Sequence, residues 1–385
     1  MSNHTVSCLA QDRKDAHIRF LQEKEENLIK SIGLKIIKTQ KKVFFCEMGK
    51  IEYRFRYLKR QNGKLYSPLR NYLNLGAYQN MSPDFKNKIM MKASRTTYQK
   101  SVEDIQESFG FSLSRKTLNK YVIENASDID LIQEPTVEQN ILIGDSTKVR
   151  NGKGSHHEVM GVISLDYKSN CSSLTAFEVN VRPAKIAANI NMERYSAFVG
   201  DADLGLRNFF KDKIPFQLCH QHAINDIGFF LWKEKMPKKE RDEHVKKLKS
   251  ILFTLQNSTK KNMKLNKIGR LVNRIIRTKK NIRSLAAELS TKGMHDSARF
   301  LMDHNEHMVT AARLALIGIK CPWTTNHAER LMQEIGIRTK KKGMNWTEKG
   351  LKGVLHMVLK RYFLPKERRN YKEVFAKQII KVVET

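Results

Sequence analysis

After Gly49 apolar and polar positions alternate: Ile51, Tyr53, Phe55 and Tyr57 fall on one face, Glu52, Arg54 and Arg56 on the other. A period of two is that of a half-buried strand, and with 43–46 it predicts a hairpin. Residues 1 to about 40 read as a basic, partly helical leader. The period then turns helical. Ser82-Pro83-Asp84 is a start signal, with an N-cap serine, a proline at the first helical position and an acid in the first turn. A second helix is expected over about 101–108, stopping at Gly110. A third starts at Ser114, with Leu118 and Val122 as its apolar side and Arg115, Lys116, Asn119 and Lys120 exposed. Helix, glycine turn and short basic helix is the layout of a helix-turn-helix, although many helical hairpins that never touch DNA share it.

From about 138 the pattern changes to strands. Extended segments are expected over 140–150, 157–167 and 173–182, with a turn near Lys168-Ser169-Asn170. Short links between consecutive strands imply an antiparallel meander. A helix over 185–192 follows, then strand 195–200, helix 204–211, strand 214–219 and helix 220–233. Strands first in series and then alternating with helices predict a mixed sheet in an α/β domain.

Residues 233–283 hold 18 Lys or Arg against four acids. Leu248, Ile251, Leu252 and Leu255 recur at helical spacing, as do Ile268, Leu271, Val272 and Ile275, so the segment is a packed helical region and not a charged tail. Helices are expected to continue to about Ile319. A further amphipathic helix spans 351–363 and stops at Pro365, and a basic, helical tail is expected to Thr385.

Charge changes the picture most. The 385 residues carry a formal net charge of +32. An excess this one-sided points to a polyanionic partner, most simply nucleic acid. The five cysteines are scattered and never spaced C-x-x-C, which argues against a disulfide framework and for a reducing compartment. No apolar stretch reaches 18 residues and the N-terminus lacks a signal-peptide apolar region, so a cytoplasmic, nucleoid-associated protein is expected.

Against this basic background three acids stand out. Asp145 ends the apolar run Ile141-Leu142-Ile143-Gly144, Asp201 ends Ala197-Phe198-Val199-Gly200, and Glu329 lies in Thr324-Thr325-Asn326-His327-Ala328-Glu329-Arg330. Carboxylates converging at strand ends suit divalent magnesium, which takes hard oxygen ligands and keeps waters for substrate. Two such ions can serve both the attacking and the leaving oxygen on phosphorus. Acids at strand ends are also common in α/β proteins with no such role.

The surrounding motifs sharpen the choice. Asp145 is followed by Ser146-Thr147-Lys148-Val149-Arg150, and Asp201 by Ala202-Asp203-Leu204-Gly205-Leu206. Cys219 and His222 form a C-x-x-H pair, Thr325-Asn326 precede Glu329-Arg330, and the basic run Arg338–Lys342 comes next. In this order the motifs over about 138–350 resemble the DDE transposases of the mutator type and related prokaryotic insertion-sequence transposases. The resemblance implies a ribonuclease-H-like catalytic domain interrupted by an all-helical insertion before the last acid. It also implies catalytic and metal-binding roles for Asp145, Asp201 and Glu329, with two Mg²⁺ per site (Mn²⁺ as a substitute). Cys219, His222, Asn326 and Arg330 would be its supporting signature. The chain departs from the family in Ser146, where glycine is usual, and in the extra acid Asp203. Asp201 holds the motif register and ends the strand. Glu334 competes with Glu329, but five residues is about 140° of helical rotation, so the two cannot share a face, whereas Asn326, Glu329 and Arg330 do.

Cys219 and His222 also invite a zinc reading. Zinc needs at least three protein ligands, and no second pair at suitable spacing is visible. A packed cysteine with a hydrogen-bonded histidine, or a pair supporting the metal site, are the alternatives. Trp323 and Trp346 flank the glutamate segment and could stack on an unpaired base or simply fill the core. His304 and His307 receive no role.

The expected organisation is a basic N-terminal region with a hairpin (1–80), a helix-turn-helix-like DNA-binding domain (81–130), a first catalytic part (138–232), a basic helical insertion (233–319), a final glutamate-bearing part (320–364) and a basic tail (365–385). The activity expected from the resemblance is Mg²⁺-dependent hydrolysis at element ends and strand transfer into target DNA. Double-stranded DNA, as terminal inverted repeats and target, would be the partner, bound by a homodimer or larger assembly. Arg115, Lys116, Lys120, Lys260, Lys261, Lys264, Arg338, Lys340, Lys341, Lys342 and Trp346 are the expected DNA contacts. A nuclease of the same fold without strand joining, and a catalytically decayed DNA-binding protein, are the alternative readings.

Overall fold

The structure is a computed structural model that describes residues 3–76, 79–124, 132, 140–152, 154–166, 171–202, 205, 207–210, 213–340 and 344–363. Asp203, Lys341, Lys342, Tyr167, the turn at 168–170 and the tail 365–385 lie outside the described residues. The chain divides into two compact units, one formed by Met1–Ile129 with Lys349–Arg361 and the other by the remainder.

In the first unit, α1 (Asn3–Ile32) leads into a hairpin of β1 (Ile36–Cys46) and β2 (Gly49–Lys59), extended by the short β3 (Leu65–Tyr66). The leader is thus one long helix, and the first strand begins seven residues before the expected Val43. The alternation after Gly49 holds: Ile51, Tyr53 and Phe55 are buried, with Leu21 of α1 in the same cluster. Arg56 does not project freely. Its backbone N–H donates to buried Glu25, which also accepts from the Tyr53 hydroxyl. After α2 (Pro68–Tyr72) come α3 (Pro83–Ala93), α4 (Tyr98–Phe109) and α5 (Arg115–Glu124). Ser82 caps α3 as expected, its hydroxyl accepting from Phe85 N–H. Gly110 ends α4 in the left-handed conformation at φ 58°, where a side chain would be strained.

The second unit is mixed α/β around a five-stranded mixed sheet. In chain order it contains β4 (Asn140–Arg150), β5 (His156–Asp166), β6 (Cys171–Val179), α6 (Pro183–Ala188), β7 (Tyr195–Gly200), α7 (Arg207–Phe210), β8 (Phe216–Leu218) and α8 (His220–Lys233). The long α9 (Lys238–Lys264) and α10 (Ile268–Thr291) follow, then α11 (His295–His304), α12 (Thr310–Leu316) and α13 (Asn326–Thr339). The strand order is β6-β5-β4-β7-β8. The first three strands pair antiparallel, and β7 and β8 join parallel to β4. The meander-then-alternation pattern of the sequence is therefore the real order of elements.

The basic helices are part of the same core as the sheet. Leu142, Phe198, Phe216 and Leu218 from the strands, Ile227 and Leu231 from α8, Leu248 and Leu252 from α9 and Ile282, Leu285 and Leu289 from α10 form one buried cluster. Each long helix buries one stripe and leaves its lysines and arginines outside, which is how so charged a segment stays folded. The last helix, α14 (Glu348–Phe363), corrects the expected 320–364 division: its residues Lys349–Arg361 belong to the first unit. Gly353 lies against α5, where an added Cβ would come within 3.3 Å of Ile123 Cα, and Arg361 donates to the Ser94 carbonyl.

One glycine controls the approach to Asp201. A Cβ on Gly200 would sit 2.8 and 2.9 Å from ring carbons of Phe198. That ring is fully buried between Phe210 and Phe216 and has nowhere to go. Gly200→Ala is expected to lower stability by about 1–3 kcal/mol, the usual range for overpacking. Gly269→Ala, with open space around its Cβ, should change little. Urea titration of both variants checks this; equal midpoints would contradict it.

Candidate functional site

Asp145 sits midway along β4, the central strand, and Asp201 follows the last residue of β7. The parallel register pairs Ile143 with Val199. Two residues further along the chain from each lie Asp145 and Asp201, so the register places both acids where β7 ends beside the middle of β4. The expected Asp145 and Asp201 pairing is thus built into the register. Glu329 comes from the first turn of α13, which packs on β4, and a carboxylate there is favoured by the helix N-terminus.

The segment before Glu329 is anchored to α8. His220 N–H donates to the Trp323 carbonyl at 2.9 Å, and the two rings pack at 5.1 Å between centroids. Trp323 also packs on the buried cluster of Leu255, Leu271, Ile275, Val309 and Ala312, so it has a core role. Burial pushes His220 down to about 4, which keeps its ring neutral. Its Nε2 then donates to the Met308 carbonyl at 2.7 Å, while Nδ1 accepts from Gln256 Nε2 at 2.8 Å.

Thr325, which the sequence marks as the start of the Thr-Asn-x-x-Glu-Arg segment without giving it a role, is the hub. Fully buried, its hydroxyl lies 2.8 Å from Glu329 Oε1, 3.4 Å from Cys219 Sγ and 3.5 Å from His222 Nδ1. Cys219, His222 and Glu329 offer ligand atoms all within 4.8 Å of one another. The third ligand that sequence spacing could not supply is therefore Glu329, 107 positions beyond His222 in the chain. The three acids do not form so tight a set among the described residues. A pair of ions about 3.5–4 Å apart distributes its ligands more widely.

Electrostatics tie these groups together. Burial pushes the Asp145 carboxyl up to about 6, with the charges of Glu329 and Asp201 adding; the Ser146 N–H, which donates to Oδ1 at 2.8 Å, and His222 oppose. A hydrogen bond with Cys219 raises His222 to about 9 against the effect of burial, and the charges of Cys219, Asp201 and Asp145 reinforce it. For Cys219, burial alone would raise the thiol, but hydrogen bonds from His222 and Thr325 outweigh it and pull the value down. A half-buried acid repelled by two others is a place where a cation is favoured. Hard carboxylate oxygens fit magnesium, so the residues present suit that ion.

The expected DNA contacts divide. Arg115, Lys116 and Lys120 are exposed on α5, with Lys120 3.6 Å from Glu124. Lys260, Lys261 and Lys264 are exposed at the end of α9 and have no acidic partner among the described residues. Exposed Lys340 donates to Thr147, which lies two residues from Asp145 and so on the same face of β4. Asn326 and Arg330 are exposed on α13. Two residues are corrected. Arg338 is 1% exposed and its guanidinium lies over the Trp346 ring, 5.0 Å from the centroid. Trp346 is buried too, its indole N–H donating to the Thr339 carbonyl at 3.1 Å. Neither presents a surface to DNA. Of the three tryptophans it is Trp232, on α8 beside Phe229, that is exposed. Trp346→Ala should cost about 3 kcal/mol, as for other buried aromatics. The salt dependence of DNA binding by the folded variant should stay unchanged; a selective loss of DNA affinity at full stability would restore the stacking role.

A surface cleft bounded by Ile190, Tyr195, Ile214 and Pro215 lies at the start of β7, the opposite end from Asp201, and is no part of this site. No protein-family model matches the chain, and no curated protein matches it in sequence.

Proposed function

We propose that the chain is a DNA transposase of the DDE type, whose ribonuclease-H-like domain holds the helices α9–α12 as an insertion. The observation that carries the reading is the convergence of Asp145, Asp201 and Glu329 where β7 ends beside the middle of β4. They come from two adjacent strands, β4 and β7, and from a helix packed on β4, inside a chain of net charge +32. Asp145, Asp201 and Glu329 would hold two Mg²⁺, which when bound supply an activated attacking oxygen and stabilise the leaving one.

The chain's own groups prepare that site. The Ser146 N–H fixes one oxygen of Asp145, and Thr325 fixes one oxygen of Glu329, leaving the other oxygen of each carboxylate available. The imidazolium of His222 balances part of the acidic charge. Lys340, tethered at Thr147, brings a positive charge to the strand face that carries Asp145 and suits a DNA phosphate. The exposed bases of α5 and of the end of α9 serve backbone binding. In this reading water is the first nucleophile and the freed 3′-hydroxyl the second, so no covalent enzyme intermediate is needed. Binding of two element ends implies a dimer or larger assembly.

The test is a joining assay. A donor plasmid carrying the DNA that flanks the coding sequence is incubated with the chain, a target plasmid and Mg²⁺, and products are sequenced. Joined 3′ ends bracketed by short target duplications are the expected result. Cleavage without joining would reduce the activity to a nuclease, and neither product would leave a DNA-binding protein.

A further inference from the structure

Glu329 belongs to two sets of ligands. One is the all-oxygen set with Asp145 and Asp201. The other contains a sulfur and a nitrogen: Cys219 at the junction of β8 and α8, His222 in the first turn of α8, and Glu329 from α13. We propose that Cys219 Sγ, a ring nitrogen of His222 and a Glu329 carboxylate oxygen form a binding site for zinc or a similar borderline-soft divalent cation, with its fourth position open to water.

The geometry is close to what the ion requires. Ligands at 2.0–2.3 Å around a tetrahedral zinc are about 3.3–3.8 Å apart. The three donors here already lie within 4.8 Å of one another, so only a small contraction is needed. Their common neighbour is the Thr325 hydroxyl, the donor in its contacts with both Cys219 Sγ and Glu329 Oε1. A hydroxyl has one proton and can serve only one of these acceptors at a time. A cation between the sulfur and the carboxylate would engage both at once, with His222, already hydrogen-bonded to Cys219, as the third donor.

The cysteine differs from its counterparts. Burial pushes the Cys46 thiol up to about 11 and raises Cys321 as well. Cys219 is just as buried, yet hydrogen bonds from His222 and Thr325 hold its thiol below the ordinary value. Softness separates the two sets: thiolate and imidazole favour zinc, whereas Asp145 and Asp201 offer only hard oxygen. The Cys-His-Glu set stands on its own geometry and does not require the phosphoryl-transfer reading.

Cobalt is the probe, because a thiolate bound to Co²⁺ gives a charge-transfer absorption in the near ultraviolet that carboxylates cannot give. The full-length chain, stripped with chelator, is titrated with CoCl₂ and then with ZnCl₂. Expected is one thiolate-bound Co²⁺ per chain, a band that zinc abolishes. Cys219→Ser should lose the band while Cys46→Ser and Cys321→Ser keep it. The absence of a band from the wild-type chain, or its survival in Cys219→Ser, would overturn the proposal. An Asp145→Asn, Asp201→Asn double variant should keep the band while losing Mg²⁺-dependent cleavage. A band without any cleavage in wild type would sink the transposase reading and leave the metal site standing; cleavage without a band would do the reverse.

Discussion

Replacing Asp145 by Asn is expected to lower Mg²⁺-dependent DNA cleavage by about 10³-fold or more. A metal's contribution to charge stabilisation on phosphorus is several kcal/mol, and each 1.36 kcal/mol is about tenfold in rate. Asn keeps the size of the side chain but removes the charge that would hold the ion. The fold should not suffer. Asp145 is desolvated and repelled by Glu329 and Asp201, so the neutral amide relieves a cost that the carboxylate imposes. Thermal melts without metal should therefore show the variant as stable as wild type or more so, the usual sign of a group kept for function at the expense of stability. DNA affinity at fixed salt should hold, since the substitution removes no positive charge. Wild-type chain in excess chelator should match the variant. If Asp145→Asn, Asp201→Asn and Glu329→Gln each cleaved at the wild-type rate, the three acids would not be the metal ligands of this chemistry.

The strands that carry Asp145 and Asp201 were legible because each reads as a short apolar run ending in an acid, and burial on both faces of a central strand demands such a run. The register that pairs them was not, because it follows from the parallel joining of β7 to β4, which no local pattern encodes. Arg338 shows a different failure. The run Arg338–Lys342 reads as one basic loop, yet α13 continues to Thr339. Leu331, Ile335 and Arg338 follow the i, i+4, i+7 spacing of a buried stripe, so Arg338 turns inward while Lys340 emerges. Helical periodicity, followed two residues further, would have separated them. Thr325 could not have been found that way. Its role comes from Cys219, 106 positions away, and only the meeting of the N-terminal ends of α13 and α8 brings them together. Similarly, α14 has an amphipathic look, but Gly350 and Gly353 are buried along with its apolar residues.

Raising monovalent salt from 50 to 200 mM is expected to weaken DNA binding by about 10³-fold or more, the loss typical of six to ten phosphate contacts. The charge for this lies chiefly in α9 and α10. No Asp or Glu occurs between Glu243 and Glu288. Some of the bases there are already engaged: Lys247 pairs with Glu288, and Lys279 and Arg283 with Glu306. Lys260, Lys261, Lys264, Lys267 and Arg270, around the turn between the two helices, are exposed without an acidic partner among the described residues. Their stems leave the apolar stripe of Leu255, Leu271 and Ile275 buried beneath, so truncating them removes charge and little packing. Each phosphate contact contributes about 0.9 to the slope of log affinity against log salt. The triple variant Lys260→Ala, Lys261→Ala, Lys264→Ala should therefore lower the slope by up to about 2.7 and leave the unfolding midpoint unchanged. Fluorescence anisotropy with a labelled duplex over the salt range measures both slopes. A wild-type slope near zero would remove the electrostatic argument for DNA as the partner. A steep slope untouched by the triple variant would instead move the DNA path off this turn and onto other bases, Arg115, Lys116 and Lys120 of α5 first among them.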